Sequence, residues 1–358
     1  MLFFTKWFGV TETDAERSRI SEQSVIEEIA KNILVMQSKT AKDQNRPLRR
    51  GTHAKGICVR AQFEVFNPGE GRREEESARI AKGIFAMPGV YPAVVRFANA
   101  DSNINPDSKP DVRSLSFSVD LTKGGKENNG MVGIRQDFSM QNAMFLPIND
   151  SAAFLAITKL LIASNPGKGL LSLPFKDKLR VFRTLALTKK LERQPFKAYQ
   201  LLRYHSNTPF RHGPADFVKY AVSPSSDNRA NAIDKKNVNC LQDELTRHLL
   251  KDEKMSSFDF GIQFLDTEKM TYHGKHYDIN FWIENASVEW KESEVPFHKV
   301  GRLTLLPDSI LSEEESEKVS FDVTGNALAD SEPVGSINRA RQRGDLASRN
   351  ARMASARD

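Results

Sequence analysis

The chain has 358 residues, of which 39% are hydrophobic and 27% charged, and its formal net charge is +6. That length and balance fit a globular protein with one large or two ordinary domains. Two cysteines, Cys58 and Cys240, exclude a disulfide framework and a thiolate metal centre, and so modest a charge does not by itself point to nucleic acid.

Residues 1–10 carry an apolar patch: Leu2, Phe3, Phe4, Trp7 and Phe8. Lys6 interrupts it and no small-residue cleavage site follows, so it does not read as a secretory signal. The patch reads as a packed N-terminal arm, with peripheral contact to a membrane surface as the alternative. No run approaches the roughly 20 apolar residues of a transmembrane segment. Residues 13–44 read as a helix with Ile20, Val25, Ile29, Ile33 and Val35 as its apolar positions. Short strand-like runs follow at 57–66, 91–98, 113–121 and 131–138, punctuated by Gly, Pro, Asn and Asp. A helix is expected over 74–87, stopped by Pro88-Gly89.

Helical patterns then take over at 151–162, 175–191 and 196–203, broken by Asn165-Pro166-Gly167 and Gln194-Pro195. Strands return at 215–222, 258–265, 286–290 and 300–306, with a helix at 241–250 among them. From 335 onward the chain is helical and arginine-rich. Strands on both sides of a helical insert predict an α+β fold, an antiparallel β-barrel closed by both strand sets. The expected division is a helical arm at 1–45 and one barrel domain at 46–358, with the insert at about 150–210.

The sharpest local string is Arg50-Gly51-Thr52-His53-Ala54-Lys55-Gly56, running directly into a strand. Val95-Arg96-Phe97-Ala98 and Asp111-Val112-Arg113-Ser114-Leu115-Ser116-Phe117 follow it. Then come Asp137-Phe138-Ser139-Met140-Gln141-Asn142-Ala143-Met144-Phe145 and, near the end, Val300-Gly301-Arg302-Leu303 and Arg339-Ala340-Arg341. In order and spacing these pieces resemble the catalase-like haem protein superfamily, in particular the short bacterial catalase-related proteins, from about His53 to Arg352.

The resemblance implies haem b as cofactor, a peroxidase or catalase-type reaction, and a C-terminal helix on the proximal side of the haem. It makes His53 the distal histidine, which moves a proton between the two oxygens of a peroxide. Its distal asparagine falls at Asn142 by residue type or at Gln141 by spacing. Phe154 matches the phenylalanine against the haem face, and an ordinary core side chain is an equal reading. Arg50, Arg96 and Arg352 match the arginines that pair with the haem carboxylates. Arg341 matches the arginine one turn before the iron ligand.

At the ligand position the pattern breaks. The family carries a tyrosine there, whose phenolate binds the iron. Here the residue is Asp345, a doubtful ligand, preceded by Gly344, and no tyrosine follows Tyr277. Ala98 stands where catalases often carry a serine bonded to the distal histidine.

Two functions compete. One is a haem-dependent oxidoreductase acting on hydrogen peroxide or an organic, lipid-type hydroperoxide. The other is a catalase-fold pseudoenzyme or a haem- or lipid-binding partner protein. The short chain favours the relatives that use organic peroxides. The arginine-rich C-terminus lacks aromatic interleaving, so no nucleic acid is expected. His273 and His276 read as a hairpin turn rather than a metal clip, and His205 and His212 as solvated loop residues. A cytoplasmic protein is expected, and the sequence leaves its oligomeric state open.

Overall fold

The computed structural model describes residues 20–122 and 134–355. The N-terminal apolar patch, the first residues of the predicted leading helix, residues 131–133 of a predicted strand and Arg357 lie outside the described residues.

The leading helix, α1, spans Ile20–Asp43. Strands β1 (Gly56–Val65), β2 (Gly89–Asn99), β3 (Arg113–Asp120) and β4 (Arg135–Gln141) form an antiparallel meander. Between β1 and β2, the predicted single helix is in fact α2 (Glu74–Ile80) followed by a separate 3₁₀ turn, Gly83–Ala86. Gly83, at a φ of +51°, separates the two, because an α-helix cannot continue through a left-handed residue.

The helical insert begins with α3 (Ser151–Ile162), capped by the Asp150 carboxylate, which accepts from the Ala153 amide at 2.8 Å. Helices α4 (Pro166–Ser172) and α5 (Phe175–Leu191) follow. The helix expected at 196–203 is reduced to a 3₁₀ turn, Tyr199–Leu201, because the chain turns here to enter the sheet.

Strands β5 (Tyr204–His205), β6 (Phe210–His212), β7 (Asp216–Pro224), β8 (Ser256–Phe264) and β9 (Phe297–Ile310) complete the sheet. Helix α6 (Cys240–Thr246) runs into a π-helical turn, Arg247–Lys251, and α7 spans Ile279–Glu284. Residues 286–290 are not a strand. Trp290 is buried there beside Met270, Trp282 and Val295, so its apolar run serves a small satellite core instead of a ladder. Helix α8 (Glu313–Lys318) and the long α9 (Ser336–Ser355) end the described chain.

The sheet order is β5-β4-β3-β2-β1-β9-β8-β7-β6, and β5 also pairs with β7. That pairing closes eight strands into an antiparallel barrel, with β6 attached outside the ring. Together with nine α-helices among the described residues, this is the α+β barrel expected.

Alternation explains what the barrel contains. In β1, Ile57, Val59, Ala61, Phe63 and Val65 face inward. Phe117 and Phe138 stack with centroids 4.6 Å apart, and Phe260 meets Phe63 and Tyr220 at 5.3 and 5.4 Å. An eight-stranded barrel is just wide enough to be filled by side chains, and these rings fill it. The candidate site residues therefore have to be sought outside the barrel interior. His205 and His212, expected in solvent, lie on β5 and β6; His212 is buried and its Nε2 approaches the Arg79 and Ile80 carbonyls at 3.0 and 3.1 Å.

Candidate haem-side site outside the barrel

The outer face of β1–β4 is a floor of small residues. Register aligns Gly56, Ala98, Ser114 and Gln141 in one row, and Cys58, Arg96, Ser116 and Ser139 in the next. Only Arg96 and Gln141 in these two rows are large. A Cβ on Gly56 would lie 2.7 Å from the Arg96 guanidinium carbon, so glycine is what lets that guanidinium lie flat against the strand.

His53 belongs to the loop that delivers the chain into β1. Its backbone is pinned at both ends: His53 N donates to the Ala100 carbonyl at 3.2 Å, and Arg96 Nη2 donates to the His53 carbonyl at 2.9 Å. Lys55 anchors the same loop through a buried ion pair with Asp107 at 2.9 Å. His53 is held at a φ of +58°, a conformation that costs a non-glycine residue and persists only where its surroundings enforce it. Its Nδ1 lies 3.1 Å from the Thr52 hydroxyl. Nε2 is buried and has no hydrogen-bond partner. Desolvation, helped by Arg96, Arg341 and Arg50, lowers the His53 pKa to about 3, so the imidazole is neutral at physiological pH.

Two of the three arginines predicted as clamps converge. Arg50, Arg352 and Arg96 come from the loop, from α9 and from β2. Arg50 and Arg352 meet at Glu317 of α8, whereas the Arg96 guanidinium bonds to the His53 and Ala54 carbonyls. Arg50 Nη1 is 3.2 Å from its carboxylate, Arg49 Nη1 is 2.6 Å away, and Arg352 Nη1 is 3.6 Å away. Arg352 Nη1 also donates to the Glu317 carbonyl at 2.6 Å, and Arg50 Nη2 to the Val319 carbonyl at 2.7 Å. Arg96 stands behind them, close enough for Arg50 and Glu317 to influence its charge. Against desolvation, Arg50, Arg49 and Arg352 hold the Glu317 carboxyl below the usual carboxylate range. An acidic run such as 313–317 is ordinarily a solvated helix start. The cap is there, with Ser312 accepting from Glu315 N at 3.2 Å, but Glu317 turns inward. The tandem Arg49-Arg50 was the one sequence signal of a shared anionic partner.

Asp345 and Arg341 face each other one turn apart on α9, with Arg341 Nε 3.6 Å from Asp345 Oδ2. The Asp345 side chain is 58% exposed, yet desolvation by the surrounding protein raises its pKa against the pull of Arg341. Gly344 is buried because α9 crosses α1 there: a Cβ would lie 2.5 Å from Ile33 Cδ1.

The two amide candidates separate. Asn142 is committed to the β3–β4 end, its Oδ1 accepting from Arg113 N at 2.7 Å, and it lines a surface groove with Asp111, Glu192 and Lys235. Gln141 lies in the Gly56–Ala98–Ser114 row of the floor. Phe154 packs with Ile26, Ile29, Ile33 and Ala340 in the seam between α1, α3 and α9, the ordinary core role. Elsewhere, Tyr272 bridges Lys275 across a tight turn with His273 and Gly274 at positive φ, and no group of three or more metal-ligating side chains occurs among the described residues.

Tested against a haem, the donor set divides. His53 offers a neutral imidazole with a buried, unpartnered Nε2. Asp345 offers an oxygen donor, without the strong electron donation of a phenolate. Arg50 and Arg352, which would have to meet the haem carboxylates, are paired with the chain's own Glu317.

No protein-family model matches the sequence, and no curated protein matches it. Among solved structures, a fungal catalase superposes with a TM-score of 0.62 at 14% identity, over 88% of this chain and 61% of that one. Catalase A from Saccharomyces cerevisiae superposes with a TM-score of 0.61 at 14% identity, over 96% of this chain and 67% of that one. The chain thus spans about three-fifths to two-thirds of the length of these catalases. Its fold is catalase-like.

Proposed function

We propose that this protein binds haem b and acts as a catalase-like peroxidase on hydrogen peroxide or an organic hydroperoxide. The observation that carries the proposal is the neutral His53 imidazole, whose buried Nε2 lacks a partner while backbone bonds hold its loop rigidly. A burial this costly needs a compensating role. When bound, haem would supply the iron and the two electrons for O–O cleavage, which a second peroxide molecule or an organic electron donor would restore. In this reading His53 takes a proton at Nε2 and returns it to the leaving oxygen, and Gln141, rather than Asn142, donates a hydrogen bond to the peroxide. Arg50, Arg96 and Arg352 would hold the haem carboxylates, and Asp345, paired with Arg341, would offer the iron an oxygen donor. The proposed division is an arm at 1–45 and a haem domain at 46–358. Two buried free cysteines fit the reducing cytoplasm.

A second reading has its own support. Glu317 occupies the arginines that a haem carboxylate would need, and the proximal phenolate is absent. These features suit a pseudoenzyme that takes haem or another ligand weakly.

The deciding experiment is an absorption spectrum of protein purified from haem-supplemented cells, with the haem-to-protein ratio, beside Asp345→Tyr. A stoichiometric Soret band that moves in Asp345→Tyr, with peroxide consumption lost in His53→Gln, supports the enzyme. A folded protein that gains no band on adding haem overturns it in favour of the second reading.

A further inference from the structure

Helix α5 has two apolar faces. On the inner one, Val181 packs with Ala156 and Leu173, beside buried Thr184. The outer one, on the opposite side of the helix, carries Phe175, Leu179 and Phe182 at i, i+4 and i+7, with 73%, 54% and 56% of their surface exposed. Leu171 of α4, at 75%, Leu161 of α3, at 52%, and Leu185 of α5, at 44%, are exposed as well. Single exposed leucines need no explanation, but six large apolar side chains on three consecutive helices mark an interaction surface.

The charge around this face selects the partner. Helix α5 contains Lys176, Lys178, Arg180, Arg183, Lys189 and Lys190 against one acid, Asp177, which pairs with Arg180 at 2.7 Å. Five cations are left over from that pair. Helical geometry puts Lys178 and Lys189 on one flank of the Phe175–Leu179–Phe182 stripe and Arg183 and Lys190 on the other. Helix α4 adds Lys168 and no acid. A second copy of the chain docked on the same patch would set like charges against each other, because a two-fold interface places a surface on itself. Leucine and phenylalanine between basic flanks match a bilayer instead: rings enter the acyl boundary while lysines reach anionic headgroups.

We propose that the outer face of α4–α5 seats the protein on anionic lipid bilayers. The inference is independent of haem binding.

The test is flotation of the full-length protein with vesicles of phosphatidylglycerol mixed with phosphatidylcholine, and with vesicles of phosphatidylcholine alone. Binding is expected to the anionic vesicles and to weaken with salt. Lys189→Gln and Lys190→Gln are each expected to lower the partition coefficient about fivefold. The double variant Phe175→Glu/Phe182→Glu is expected to abolish it, with an unchanged circular dichroism spectrum and melting temperature because both side chains face solvent. No flotation overturns the proposal, as does binding that survives the double variant. A dimer that forms with rising concentration and is lost in that variant, without flotation, assigns the face to a second copy and likewise overturns it.

Discussion

Arg352 and Glu317 meet twice: the guanidinium donates to the Glu317 carbonyl at 2.6 Å and lies 3.6 Å from its carboxylate. This contact ties the last turns of α9 to α8. With Arg49 and Arg50, it closes the cationic site on an anion from the chain itself.

Replacing that anion should have two opposed effects. Glu317→Gln leaves largely buried guanidinium groups uncompensated and is expected to cost about 2–3 kcal/mol of stability, read by urea unfolding. In a haem titration followed at the Soret band, the same variant should bind haem more tightly, because the haem carboxylates no longer compete with Glu317. Weaker haem binding together with lower stability would show that Glu317 supports the site and does not block it.

Stability should fall steeply in mild acid. Desolvation first of all lowers the pKa of His53 and of His205 to about 3 and that of His212 to about 4, from 6.5. Between those values the unfolded chain binds protons that the folded chain does not. The stability held by these groups is therefore complete above about pH 6.5 and is lost as pH falls toward 3–4. Each of these neutral histidines contributes up to about 1.4 kcal/mol per pH unit in that window. Glu317, with its depressed pKa, adds a loss of the same sign at lower pH. His212→Gln should flatten the pH dependence of the urea midpoint, and an unchanged slope would contradict the burial argument.

The crossing of α1 and α9 should be tight at one point. Gly344→Leu is expected to cost about 1–3 kcal/mol by overpacking against Ile33. Ile33→Ala should relieve part of that cost, giving a coupling of about 0.5–3 kcal/mol in a double-mutant cycle. Additive effects would mean that the helices separate without penalty.

The loop carrying His53 should depend on Lys55. Asp107 is fully buried and pairs with Lys55 at 2.9 Å. Lys55→Met strands that charge and is expected to cost about 3–5 kcal/mol. Lys55→Met/Asp107→Asn should recover most of it by removing the charge, as measured by chemical denaturation. If the double variant is no more stable than the single one, the charge is not what destabilises it.

Much of the architecture was legible in the chain. Period-two alternation marked β1 to β3, and the limits of α3 and α5 follow from Asp150, Pro166-Gly167 and Pro174. The string from Arg50 to Gly56 pointed to His53, and the spacing of Arg341 and Arg352 put both on one helix with Asp345. Residues 286–290 and 196–203 misled because burial in a satellite core and at a chain turn leaves the same apolar runs as a strand or a helix.

What the sequence determined by itself was the α+β barrel class, because periodicity and the order of strands and helices are local properties. Only the tertiary structure decided that Gln141 rather than Asn142 shares the small-residue floor, that Phe154 belongs to a helix seam, and that Glu317 lies within the arginine cluster. Those outcomes depend on strand register and on helices distant in sequence meeting in space, and no local pattern encodes which acid an arginine will reach.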